Sequence, residues 1–377
     1  HRRLSIVDIE FGAQPMWNED HTVAVTFNGE IYNHFELKKE LETKGHRFST
    51  DHSDTEVLVH GWEEWGENLP LKLNGMFAFA IWDKNNKSIF LARDRYGEKP
   101  LYWGYQNGTL YFGSELTAIT SHPNFRATYN ILSLQKYFAY GFIPSPNSIY
   151  KDTNKLAPGN YLTFDLSSRE PKVKSYWNFR VEPLTNPPSF EEASNEILRL
   201  LQQSVQRRLM SDVPLGVFLS GGVDSSLATA AMCKYMPAEQ VQSFSIGFTE
   251  KTFDETKFAA LMAQSLGTTH LNSVLDLSGA KSIISEVLDK LDETFADGSI
   301  LPTYLLCKFA CYKVKVALSG DGGDELFAGY DPFTALGPAR FVQSVLPRQG
   351  INSLSKLAQF LPKSSKNMSF DFKVRKF

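Results

Sequence analysis

The sequence predicts two architectures in series: an α+β sheet sandwich in the first half and an α/β, doubly wound parallel sheet in the second. Three observations carry this. Short alternating apolar runs separated by turn signals crowd the first 180 positions. Strand-like and helix-like runs alternate from about residue 213 onward, an order that builds parallel sheets. A length of 377 residues exceeds one ordinary core.

In the front half the strand patterns are V-A-V-T-F (23–27), F-A-F-A-I-W (77–82), S-I-F-L-A (88–92), T-L-Y-F-G (109–113) and N-Y-L-T-F (160–164). N-N-K, Q-N-G and P-G-N mark turns between them, and Phe35 to Lys44 reads as a helix. Pro183 to Pro188 is the best linker. It divides the chain into expected domains 1–182 and 189–377. Ser189 then caps a helix with Glu192 at the box position, and Ile197, Leu200, Leu201 and Val205 mark one face of it. Strand and helix follow in turn over 213–219, 224–236, 242–248, 255–266 and 314–318.

Composition narrows the function classes. Hydrophobic residues make up 42%, as in a globular protein, and the formal charge of −3 argues against a nucleic-acid groove. The longest core-like apolar run, Met76 to Trp82, is far too short to span a membrane. Three cysteines are too few for a disulfide framework; Cys307 and Cys311 could share a helix face, but the reading is buried packing thiols in a reducing cytoplasm. The eight histidines show no H-E-x-x-H pattern and read as surface or packing residues.

The chemistry concentrates in two strings. Ser220-Gly221-Gly222-Val223-Asp224-Ser225-Ser226 lies between an apolar strand run and a helix. Glycines turn the backbone sharply, the helix start presents free N–H groups, and hydroxyls surround the resulting anion site. No G-x-x-x-x-G-K-[ST] string is present, so the serines suggest a loop that grips pyrophosphate. The bland alternative is a strand–turn–helix corner with chance serines. The second string, Ser319-Gly320-Asp321-Gly322-Gly323-Asp324-Glu325, follows the strand run K-V-A-L. Carboxylates at a strand's carboxyl end suit Mg²⁺; the alternative is a solvated acidic turn.

Together these strings resemble the asparagine synthetase family, glutamine-hydrolysing amidotransferases whose synthetase domain is a PP-loop ATP pyrophosphatase. The front half resembles it too: Arg3-Leu4-Ser5-Ile6, Asn28-Gly29-Glu30-Ile31-Tyr32-Asn33, Ser53-Asp54-Thr55-Glu56, Gly75-Met76-Phe77-Ala78-Phe79 and Arg93-Asp94-Arg95-Tyr96-Gly97 match its landmarks in order. The resemblance implies an N-terminal-nucleophile hydrolase sandwich for the front domain. It assigns Arg3 to the glutamine α-carboxylate, the Asn28 side chain and Gly29 N–H to the oxyanion hole, and Glu30 and Asp54 to the α-ammonium. Taken alone, Asn28-Gly29 would read as a hairpin turn.

In the second domain the resemblance implies nucleotide contacts from Leu219, Ile246, Ser319 and Gly320. Pyrophosphate falls to Ser220, Gly221, Gly222, Ser225 and Ser226, and Mg²⁺ to Asp224 and Asp324. Asp321 stands where well-known members carry a Glu tied to acyl-adenylate formation, which leaves the acceptor open. The implied reaction is ATP-dependent amidation of aspartate, releasing AMP and pyrophosphate, with ammonia passing internally from glutamine. Another carboxylate acceptor and a non-catalytic nucleotide-binding protein are the alternatives. Expected partners are small molecules, not nucleic acid or membrane, with a homodimer left open and a cytoplasmic location. The family's nucleophile is an N-terminal Cys upstream of R-L-S-I, so a chain opening at His1 is expected to be an internal fragment.

Overall fold

A computed structural model describes residues 1, 4, 6–249, 254–275, 277–330, 333 and 336–345. The chain forms two compact units, His1–Pro214 with Ser282–Tyr304, and Leu215–Lys281 with Leu305–Phe377.

The first unit holds two antiparallel sheets. One runs β1 (Met16–Trp17), β2 (Val23–Ile31), β3 (Gly75–Asp83), β4 (Ser88–Arg93), β8 (Asn160–Asp165), β9 (Pro171–Ser175) in spatial order. The other is β6 (Thr109–Gly113), β5 (Tyr102–Gln106), β7 (Thr153–Lys155). Strand period explains how both faces of the larger sheet are buried. On β3, Phe77, Phe79 and Ile81 join Leu37 and Leu41 of α1 (His34–Thr43) and Val57, Leu58 and Val59 of α2 (Glu56–Trp65) in one core. The intervening Ala78 and Ala80 face the other way, into a core with Leu91, Leu162, Leu101, Leu156 and Trp103. Two alanines there leave room for the second sheet to approach. Behind that sheet, Leu116 of α4 (Leu116–Thr120) packs with Ile143, Ile149, and Leu134 and Tyr137 of α5 (Ile131–Tyr140). A one-turn α3 (Leu69–Lys72) leads into β3. The predicted sandwich is thus present as helix, sheet, sheet and helix layers.

The helix α6 (Phe190–Arg208) begins with the predicted capping box: Ser189 accepts from Glu192 N–H, and the Glu192 carboxylate accepts from Ser189 N–H. Of the predicted apolar face only part is covered. Val205 is buried, while Ile197 and Leu200 remain 43% and 48% exposed. Periodicity defines a face but not what lies against it.

The second unit is the predicted parallel sheet, in the order β12 (Thr269–Leu275), β11 (Gln242–Phe248), β10 (Leu215–Phe218), β13 (Val316–Leu318). The chain runs outward from β10 through α7 (Val223–Tyr235), β11 and α8 (Thr256–Leu266) to β12, then returns to the far side of β10 as β13. The strand order therefore reverses between β10 and β13, and crevices for ligands form at that point, beyond the strands' carboxyl ends. In sequence, α9 (Leu277–Leu288) and α10 (Ile300–Ala310), each divided between the two units, precede β13, and a short α11 (Gly323–Phe327) follows it. One expectation needs correction. Cys307 and Cys311 are exposed, not buried packing thiols. Their i,i+4 spacing does give a shared side, but it is an outer one.

Candidate functional site

In the second unit both sequence strings lie at the β10/β13 reversal. Leu219, 1% exposed, anchors the first loop by packing on Ala259 and Ala263 of α8, and its N–H donates to Phe244 O. Gly221 takes φ +85°, and a Cβ there would lie 2.5 Å from the Phe258 carbonyl carbon and 2.6 Å from Ala259 N. Only glycine fits, for reasons of both conformation and space. Ser220 and Ser225 pin the loop: their Oγ atoms lie 3.0 Å apart, and Ser220 N–H and Gly222 N–H donate to Ser225 Oγ and Ser220 Oγ respectively. The N-cap residue, Gly222, offers no side chain to cap α7, so the first turn presents a positive dipole end. The Ser226 hydroxyl is buried and has no hydrogen-bond partner among the described residues, an arrangement suited to an incoming anion oxygen. Ile246 sits on β11 at the same sheet.

The second loop closes on the first. A Cβ on Gly320 would lie 2.7 Å from Ser225 N, and one on Gly323 would lie 2.5 Å from Asp224 Cγ. Asp324 is embraced in turn by Gly329, whose Cβ would fall 2.0 Å from Asp324 Oδ1 and whose N–H donates to Asp324 O. Ser319 O–H donates to the exposed Asp321 carboxylate at 2.8 Å. Gly320 and Gly323 therefore allow backbone to approach Asp224, a role that Gly329 plays for Asp324. Asp224 and Asp324 offer carboxylate oxygens and the serines hydroxyl oxygens, a donor set that fits a hard ion such as Mg²⁺.

In the first unit, Asn28 and Gly29 lie inside β2, opposite Ala78 and Phe77 of β3. The Asn-Gly pair is not a hairpin turn. Gly29 has φ +152°, and its Cβ would meet Met76 O at 2.0 Å; across the ladder a Cβ on Gly75 would meet Glu30 O at 2.1 Å. Both glycines serve close strand approach. Asn28, Gly29, Glu30 and Asp54 line one cavity with Gln14 and Ile6. Glu30 is buried and its Oε1 has no hydrogen-bond partner among the described residues. Burial, reinforced by the Asp54 carboxylate, pushes Glu30 up to about 7. Asp54 is itself buried and accepts from Ile31 N–H at 3.1 Å. Two buried carboxylates on one cavity suit a cationic ligand group. Arg3 lies outside the described residues.

Sequence reasoning missed Ser114, whose Oγ accepts from Asn28 Nδ2 at 2.9 Å. It follows β6, 86 positions away from its partner, and no spacing rule could have joined them. Other residues of two landmark strings prove to be supports. Asp94 gathers the N–H groups of Phe77, Tyr96, Glu98 and Lys99, and Arg93 donates to the carbonyls of Gly97, Lys99 and Leu156. Glu56 accepts from Ser49 and Thr50 N–H.

His46, His60 and Glu63 place possible metal-ligand atoms within 4.8 Å of one another. His60 Nδ1 lies 3.0 Å from Glu63. Burial draws the His60 imidazole down, but hydrogen bonding to Glu56 and Glu63 outweighs it and lifts the ring to about 9.

The family model for a glutamine amidotransferase domain matches residues 1–177, and that for asparagine synthase matches 196–374. Asparagine synthetase (glutamine-hydrolyzing) 1 of Bacillus subtilis is 37% identical over 88% of this chain and 51% of its own length. Asparagine synthetase (glutamine-hydrolyzing) 3 of the same organism is 36% identical over 88% of this chain and 56% of its own. The chain spans about half the length of these curated relatives.

Proposed function

Because this chain belongs to the asparagine synthetase family, we propose that it amidates a carboxylate at the expense of ATP, with glutamine as the nitrogen donor. The observation that carries the reading is the contact of the two loops at the β10/β13 reversal, where Gly320 and Gly323 press on Asp224 and Ser225. Residues 1–182 would form the glutaminase domain and 189–377 the ATP-pyrophosphatase domain.

The acceptor, read as the aspartate side chain, attacks the α-phosphorus of ATP. The bond to the β-phosphate bridging oxygen breaks, and pyrophosphate leaves into the cradle of Ser220, Gly221, Gly222, Ser225 and Ser226, where N–H and O–H groups meet its charge. Leu219, Ile246, Ser319 and Gly320 hold the nucleotide. Asp224 and Asp324 would hold Mg²⁺, which supplies neutralising charge to the phosphates when bound. Ammonia then adds to the acyl carbon of the acyl-adenylate, and AMP departs as the amide forms. Asp321, exposed and engaged with Ser319, is assigned to the adenylation step. In the first unit Asn28 and Gly29 would stabilise the oxyanion of glutamine hydrolysis, Glu30 and Asp54 the α-ammonium, and Arg3 the α-carboxylate.

Asp321 in place of a longer Glu favours a second reading, an acceptor other than aspartate. Among the described residues no helix is long and apolar enough to cross a membrane; a cytoplasmic site and a homodimer belong to the same proposal. Chromatography of a reaction with the full-length gene product tests the core of it. AMP and pyrophosphate equal to the amide formed are expected. ADP and phosphate, or no turnover of ATP, would overturn it, the last in favour of a non-catalytic nucleotide-binding protein.

A further inference from the structure

Asn28 is asked to present an N–H to a developing oxyanion, yet an asparagine carboxamide turns freely about a broad terminal torsion. Something must hold it. Asn28 lies on β2 with its neighbour Phe27 in the helix-side core, so strand alternation turns Asn28 toward the second sheet. Ser114 comes from the end of that sheet, between β6 and α4, and its Oγ accepts one of the two Nδ2 hydrogens at 2.9 Å. Its place is firm. Leu116 and Ile119 of α4 are each 1% exposed, and a Cβ on Gly113 would come within 3.1 Å of Ala118 Cβ. One carboxamide hydrogen is thereby spent, and the other is left to the cavity that Asn28 lines.

We propose that Ser114 is a positioning residue for glutamine hydrolysis, locking the Asn28 carboxamide so that its second N–H meets the oxyanion. This rests on the glutamine reading of the cavity given above. In the full-length gene product, Ser114→Ala should lower kcat for glutamine hydrolysis roughly tenfold, the cost of one lost orienting hydrogen bond. KM for glutamine should stay within about twofold, because ground-state binding is untouched. Ser114→Thr, which keeps the hydroxyl, should recover most of the rate. In an Asn28→Ala background, Ser114→Ala should cost nothing further, since the two act as one unit. An unchanged kcat in Ser114→Ala, or an equal loss in both backgrounds, would overturn the positioning role while leaving the glutamine reading intact. If Asn28→Ala itself keeps full glutaminase activity, the reading of the cavity fails, and this inference with it.

Discussion

Gly323 leaves no room for a side chain beside Asp224: its Cβ would stand 2.5 Å from the Asp224 carboxyl carbon and 2.7 Å from Oδ2. Two residues 99 positions apart are thus fitted backbone to carboxylate. Gly323→Ala should swing the short Asp224 side chain away from the loop and leave the fold standing. ATP–pyrophosphate exchange should fall roughly 10–100-fold, the range of a local overpacking cost. Gly221→Ala is the contrast, because its Cβ meets the Phe258–Ala259 backbone. That variant should lower Tm as well. Normal exchange in Gly323→Ala would show that the loop contact is unimportant to the nucleotide.

Asn28→Ala separates the two activities. Glutamine-dependent synthesis should fall roughly 10²–10³-fold, as for loss of one oxyanion-hole donor. Synthesis from added ammonium salt, measured on the same preparation, should be nearly unchanged. An equal fall in both rates would make Asn28 a structural residue of β2.

Glu30 sets a pH dependence. Burial and Asp54 hold it near 7 rather than its ordinary 4.5. Below that pH it is protonated in the free protein and loses its attraction for an ammonium group. The kcat/KM for glutamine should therefore decline with acidity through about pH 7. Glu30→Gln should abolish that limb and raise KM about tenfold or more. A limb that survives the substitution belongs to another group.

His60 sets a dependence of stability. Its folded value of about 9 lies above the ordinary 6.5, so its ion pair with Glu56 and Glu63 contributes fully below pH 6.5 and is lost as pH rises through 9. Tm should fall across that window. His60→Gln should be less stable at pH 6 by on the order of 2 kcal/mol and should show a flatter decline toward pH 9. Parallel curves for the two proteins would place the titration elsewhere.

Much of the fold was legible because local rules and tertiary demands agreed. The runs at 109–113 and 160–164 became β6 and β8 almost residue for residue, and the capping box formed as read. The failures have physical causes. α2 begins E-V-L-V-H, a β-branched apolar run whose Val57, Leu58 and Val59 are all fully buried, and so short an apolar run fits a buried strand as well as a helix. β12, T-H-L-N-S-V-L, lacks strand alternation and is largely polar at a sheet edge, where His270 bonds to Ser243 and Ser245 of β11; its polarity disguised it. Asn28-Gly29 reads as a turn only when taken alone; the surrounding N-G-E-I-Y-N string sets that reading aside, and the pair lies within β2 opposite β3.

By itself the sequence determined the two architectures, the loop that turns on Gly221, and the residue types that could meet an anion, a cation and an oxyanion. Those follow from backbone propensity and from functional groups, which are local properties. Only the tertiary structure decided that Ser114 holds Asn28, that Glu30 is a buried carboxylate lacking a partner at Oε1 among the described residues, and that Gly323 seats Asp224. Proximity between distant positions comes from strand order and register, and a period of two or of 3.6 residues carries no record of which strand lies alongside.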